Sequence, residues 1–167
     1  MDLASLASLF RHPTIEDRAW HEAGHAVARL ALGLHVEFVF VREDYIPEGG
    51  LTGHYEEDAV ALYRADPVRY RRTMRLVKLA GDIVDTRRRV WAGHHIEALL
   101  RELGVTDPLH PSPEVNAEFD RWWRETEELV GSHWLAIGRL AEAILVSPDQ
   151  SLRDLALEYL AELEEPR

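Results

Sequence analysis

The chain has 167 residues, 46% of them hydrophobic and 29% charged, with a formal net charge of −11. That balance fits one globular domain with a sizeable core, and the negative charge argues against a nucleic-acid-binding surface. Cysteine is absent, which excludes disulfides and thiolate ligands, so any metal must be held by His, Asp or Glu.

Residues 1–13 read as a flexible or partly helical arm. Met1-Asp2 opens without a basic region, so no signal peptide is expected. The first helix is expected over Ile15–Leu32. Thr14 and Asp17 have the spacing of a reciprocal cap, and Gly33 sits where a stop belongs. Ile15, Ala19, Ala23, Val27 and Leu30 form one apolar stripe, while Ala28 and Leu32 make the opposite face apolar too. The helix is therefore expected to be covered on both sides. Gly24 inside it implies a close-lying backbone.

Val36 to Arg42 reads as a strand with Val36, Phe38 and Phe40 on one face. The stretch Ala26–Val41 is interrupted by Arg29, His35 and Glu37 and is too short to span a bilayer, so no membrane span is expected. Pro47-Glu48-Gly49-Gly50 is a turn, and Leu51 to Tyr55 a second short strand. Asp58–Ala65 reads as a short helix. Asp66-Pro67 opens another that runs to about Arg88, with Val77, Ala80, Ile83 and Val84 inward and Gly81 at a close contact. His94–Leu103 restarts a helix that ends at Gly104. A long helical region is expected from Glu114 to Val146, and a last helix from Leu152 to Leu163. The arginine clusters at 69–75 and 87–89 and the acidic run at 125–128 read as solvated helix faces. Trp122, Trp123 and Trp134 read as packing residues.

The chemistry concentrates in His21-Glu22-Ala23-Gly24-His25. On a helix, histidines at i and i+4 share a face and can share a metal. Glu22 lies about 100° round from His21 and can reach a water beside that metal without ligating it. This is the HExxH pattern of zinc hydrolases. The fold class expected is mostly helical α+β: a zincin-like HExxH helix, a small hairpin or sheet and a C-terminal helical region.

Further segments fall in the order of a known family. His21 to Val27, led by Arg18-Ala19-Trp20, resembles the active-site helix of the FtsH-type zinc metalloproteases. Val36–Val41 and Gly49–Thr52 resemble the sheet region that follows it, Leu79-Ala80-Gly81 through Asp85 the family's glycine-containing helix, and Trp134–Leu145 its C-terminal helix. The resemblance implies a peptidase domain over 1–167, here without an AAA+ module or membrane anchor. It places the third zinc ligand, an Asp in the family, on His95 just ahead of Ile96. The site expected is Zn2+ on His21, His25 and His95, with Glu22 as general base. His94 and Asp85 stand as rivals for the third ligand, and Asp85 alternatively orients a ligand histidine. Partners expected are a peptide or unfolded protein lying along Val36–Val41, and the location expected is cytoplasmic. A catalytically inactive binding or scaffold module, and a peptidase confined to one regulatory partner, are the alternatives. His54 reads either as an oxyanion donor or as a surface strand residue, and His12, His35, His110 and His133 show no partner pattern.

Overall fold

The computed structural model describes residues 13–41, 50–54, 56–90, 95–105 and 111–146. The expected arm, the turn at Pro47, the last helix, His12, His94 and His110 lie outside the described residues, as does the His54 side chain. The elements are α1 (Ile15–Ala31), β1 (Val36–Val41), β2 (Gly50–His54), α2 (Glu56–Ala65), α3 (Pro67–Arg87), α4 (Ile96–Glu102), α5 (Pro113–Ser132) and α6 (Trp134–Val146). The protein is mostly helical, with β1 and β2 paired antiparallel.

Helix α1 begins as its sequence dictates. The Thr14 amide donates to Asp17 Oδ2 at 2.9 Å, and the Asp17 amide donates to Thr14 Oγ1 at 3.2 Å. The helix ends at a Leu32 cap, followed by Gly33 at φ +81°, a left-handed conformation that costs glycine little. Ala19, Ala23, Ala26, Val27 and Ala28 are all buried, so the helix is covered on both sides. It packs against α3 and α6, with β1 alongside. Helix α3 is capped by Asp66, which accepts from the Val68 and Arg69 amides at 3.1 and 2.9 Å ahead of the Pro67 turn. Its predicted inward residues Val77, Ala80, Ile83 and Val84 are all buried.

Three expectations change. In β1 Val39 and Val41 are buried beside Val36 while Phe38 is only half-buried, which departs from the alternation expected after Val36; the Phe40 side chain lies outside the described residues. The strand register shifts between Val36 and Phe38, and that bulge reverses the face presented beyond it. The long helix expected from Glu114 is two helices, bent by 71°. The Ser132 hydroxyl donates to the Glu128 and Leu129 carbonyls, and His133 Nδ1 donates to the Leu129 carbonyl at 2.9 Å. These side chains satisfy the last carbonyls of α5 and let the chain turn. Finally, several arginines read as solvated clamp helices together. Arg72 stays exposed, as read, while pairing with Glu125, but Arg75 lies 4.2 Å over Trp122. Arg88 reaches the buried Asp17 at 3.0 Å and sits 4.6 Å over Trp20, which itself stacks on Trp134. Among the described residues no single helix is long and apolar enough to cross a membrane.

Candidate metal centre

Helices α1 and α3 run past each other at unusually short range. A Cβ built on Gly24 would lie 2.9 Å from Val84 Cγ2 and 3.2 Å from the Ala80 carbonyl oxygen. One built on Gly81 would lie 2.6 Å from His25 Nε2 and 2.7 Å from His21 Nε2. The two glycines expected to mark close approaches therefore lie on one seam, each against the opposite helix. Gly81 leaves the space into which both histidine rings project.

Each of these rings is fixed through its Nδ1. His21 Nδ1 lies 2.8 Å from Asp85 Oδ2, and His25 Nδ1 lies 2.7 Å from the Val77 carbonyl oxygen. Nδ1–H donates in both cases, which leaves the two Nε2 atoms aimed at a common point, 3.0 Å apart. Two imidazole nitrogens on one tetrahedral zinc stand about 3.3 Å apart, given Zn–N bonds of about 2.0–2.1 Å. A hydrogen-bonded Nδ1 behind a converging Nε2 is how ligand histidines are oriented in metal sites.

His95 closes the third side. It sits at the N-cap of α4, and its ring lies 5.7 Å from that of His21 and 4.9 Å from that of His25, centroid to centroid. Ligand atoms of His21, His25 and His95 all lie within 4.8 Å of one another. The structure thus brings together the three histidines named from sequence. Asp85 lies behind His21, although His21, Asp82 and Asp85 also form a second group within the same 4.8 Å.

Asp82 was missed in the sequence. It is fully buried, and its Oδ2 accepts from the His95 backbone N–H at 3.3 Å, tying the start of α4 to α3. The available signal was its position one residue after Gly81 and three before Asp85, on the same helix face. Glu22 is also buried. His35, with no pattern in sequence, pairs with Asp58 away from this site.

The electrostatics follow from this crowding. Burial works to lower the His21 pKa, but the Asp85 hydrogen bond and the charges of Asp85, Glu22 and Asp82 outweigh it and raise the value to about 9. Burial, with His21 and His95 as positive neighbours, holds His25 well below the ordinary histidine value. The Asp85 bond thus makes His21 the more basic of the two facing imidazoles, whose Nε2 atoms lie 3.0 Å apart. The buried carboxylates Asp85, Glu22 and Asp82 near His21 favour positive charge there.

Gly81→Ala tests this geometry. Alanine suits a helix interior better than glycine by about 1 kcal/mol, so the fold is expected to persist. Its methyl group must displace a histidine ring, so affinity for added zinc, if these rings hold it, is expected to fall by more than about 10-fold. Isothermal titration with zinc beside a circular dichroism melt checks both halves.

A scan against protein-family models and a search of curated proteins return no match to this chain.

Proposed function

We propose that this protein is a zinc-dependent peptidase, with His21, His25 and His95 as metal ligands and Glu22 as general base. The observation that carries the reading is the convergence of His21 and His25 Nε2 at 3.0 Å, with both Nδ1 atoms already engaged. Three imidazoles are a donor set suited to a catalytic zinc, which leaves a fourth position for water. The HExxH pattern and the resemblance of most of the chain from Thr14 onward to the FtsH-type zinc metalloproteases supply the reaction class.

Zinc, when bound, supplies a Lewis acid that lowers the pKa of a water toward neutrality. The protein's own groups do the rest. Glu22, next to His21 in a buried setting, takes the proton from the attacking water and later delivers it to the leaving amine. Asp85 holds the His21 ring and stabilises positive charge on it. The Val77 carbonyl holds His25, and Asp82 anchors the backbone of His95. Strand β1, paired with β2, is the edge along which an extended substrate chain would align by strand addition.

The protein is expected to retain one zinc per chain after loading and desalting, and to cleave a denatured protein. His21→Ala and His25→Ala are each expected to lose the metal. Elemental analysis beside a cleavage assay checks this. Absence of bound metal after loading refutes the proposal. Stoichiometric zinc without cleavage favours the inactive scaffold module.

A further inference from the structure

Two of the three proposed ligand histidines belong to α1, which packs into the main core. The third arrives on α4, a helix of seven residues, Ile96–Glu102. A helix of that length is not stable alone in water, so it depends on what it packs against. Its start is also unusual. His95 is the N-cap, yet its side chain makes no cap bond to the helix, and its backbone is helical (φ −100°, ψ −23°) rather than extended. The ring instead lies beside those of His21 and His25. Ala98 stands at the third helical position, where a Glu or Gln side chain would reach back to the N-cap amide. Asp82 of α3 serves that amide from outside the helix, its Oδ2 accepting from the His95 N–H at 3.3 Å.

The rest of the seating of α4 is apolar and local. Leu99, one turn after His95 and fully buried, meets Leu79 of α3 and Trp122 of α5 in a small cluster that shares none of the buried residues of the main core. Ile96, Leu103 and Phe119 pack around it. Leu79 and Asp82 are three residues apart, so one face of α3 offers α4 both an apolar socket and a backbone acceptor. At the far end Glu102 reaches Lys78 and Arg75 of α3, in solvent-exposed pairs that add little. The same turn of α4 therefore brings Leu99 to its socket and the His95 ring to the histidine cluster.

We infer that α4 is a metal-dependent strap, in which docking of Leu99 in the Leu79–Trp122 socket and ligation by His95 are one coupled step. The inference rests on the three-histidine metal site of the proposed function and not on peptide cleavage. Coupling of this kind is reciprocal. Zinc held by His95 must keep α4 seated by the same factor by which a seated α4 tightens zinc. With α4 unseated the chain offers zinc two histidines, so apparent affinity falls with the seated fraction. A leucine socket outside the ligand set thereby governs how tightly the metal is held.

The test follows amide hydrogen exchange by mass spectrometry on the full chain, with and without saturating zinc. In the parent, zinc is expected to slow exchange across residues 99–103 by about 5–150-fold, the usual span of coupling between two sites. In His95→Ala that protection is expected to disappear. Leu99→Ala empties the socket without touching a ligand, and is expected to lower zinc affinity by about 10-fold or more in competition with a chelator. Ile144→Ala is the control. It opens a cavity in the main core rather than in the α4 cluster, so it is expected to lower the melting temperature while leaving zinc affinity within about 2-fold. Either parental affinity in Leu99→Ala or α4 exchange that zinc leaves unchanged overturns the strap and leaves the metal site standing. Equal loss of affinity in Leu99→Ala and Ile144→Ala also overturns it, since that marks general loosening. Failure of the parent to bind zinc at all removes the metal site and the strap with it. Protection of α4 that needs both zinc and His95, in a protein that cleaves no peptide, upholds the strap and favours the scaffold module over the peptidase. If Leu99→Ala does not fold, the exchange comparison of parent with His95→Ala decides alone.

Discussion

Glu22→Gln is expected to keep the fold and the zinc while lowering peptide hydrolysis by about 10²–10⁴-fold, the usual contribution of a positioned general base. Gln has nearly the shape of Glu, so it fills the same buried position on α1. It cannot accept a proton at neutral pH. It also removes one of the negative charges that raise His21, though Asp85 remains the larger influence through its 2.8 Å hydrogen bond. Metal retention is therefore expected to change much less than turnover. The comparison needs purified parent and variant with equal zinc content, assayed on one unfolded substrate, with His21→Ala as the metal-free blank. Equal cleavage by parent and Glu22→Gln, with the blank inactive, would remove Glu22 from the chemistry while keeping a metal enzyme.

The sequence announced the site through features that are local in the chain. A two-histidine helix face needs only a spacing of four, and the Thr14–Asp17 cap needs only a spacing of three; both appear in the structure as read. Gly24 and Gly81 were legible as close approaches because glycine inside a helix is costly without a packing reason. The rest depends on what lies across a contact. Asp82 looks like any helical carboxylate until α4 delivers the His95 amide to it from thirteen residues away. Arg88 looks solvated until α1 brings Asp17 and Trp20 to it. The β1 face was misread because a bulge is set by pairing with β2 and leaves no mark in an alternating run. The break at His133 was missed because Ser132 and His133 stop a helix through their own side-chain bonds, without a proline.

The third ligand gives the second large effect, since the same side chains admit two donor sets. One is His21, His25 and His95; the other is His21, Asp82 and Asp85. In the first, His21 Nε2 faces the metal and Asp85 holds the ring from behind. In the second, His21 turns its Nδ1 edge toward two carboxylates, and His25 takes no part. Two arguments favour the first. His25 Nδ1 is already engaged with the Val77 carbonyl, so its Nε2 is fixed facing that of His21, an orientation the second set leaves unused. Asp82 also accepts from the His95 backbone, a bond that positions the His95 ring and that ligation would compete with. His95→Ala is accordingly expected to weaken zinc binding by well over 100-fold, because it removes a direct bond. Asp85→Ala is expected to cost about 10–100-fold, the range for a residue that orients a ligand. His25→Ala separates the two sets, since only the first contains His25. Competition titration against a chelator of known affinity measures all three variants on one scale. Parental affinity in both His95→Ala and His25→Ala, with loss in Asp85→Ala, would move the metal to the carboxylate side of His21, away from the histidine face that Glu22 is proposed to serve.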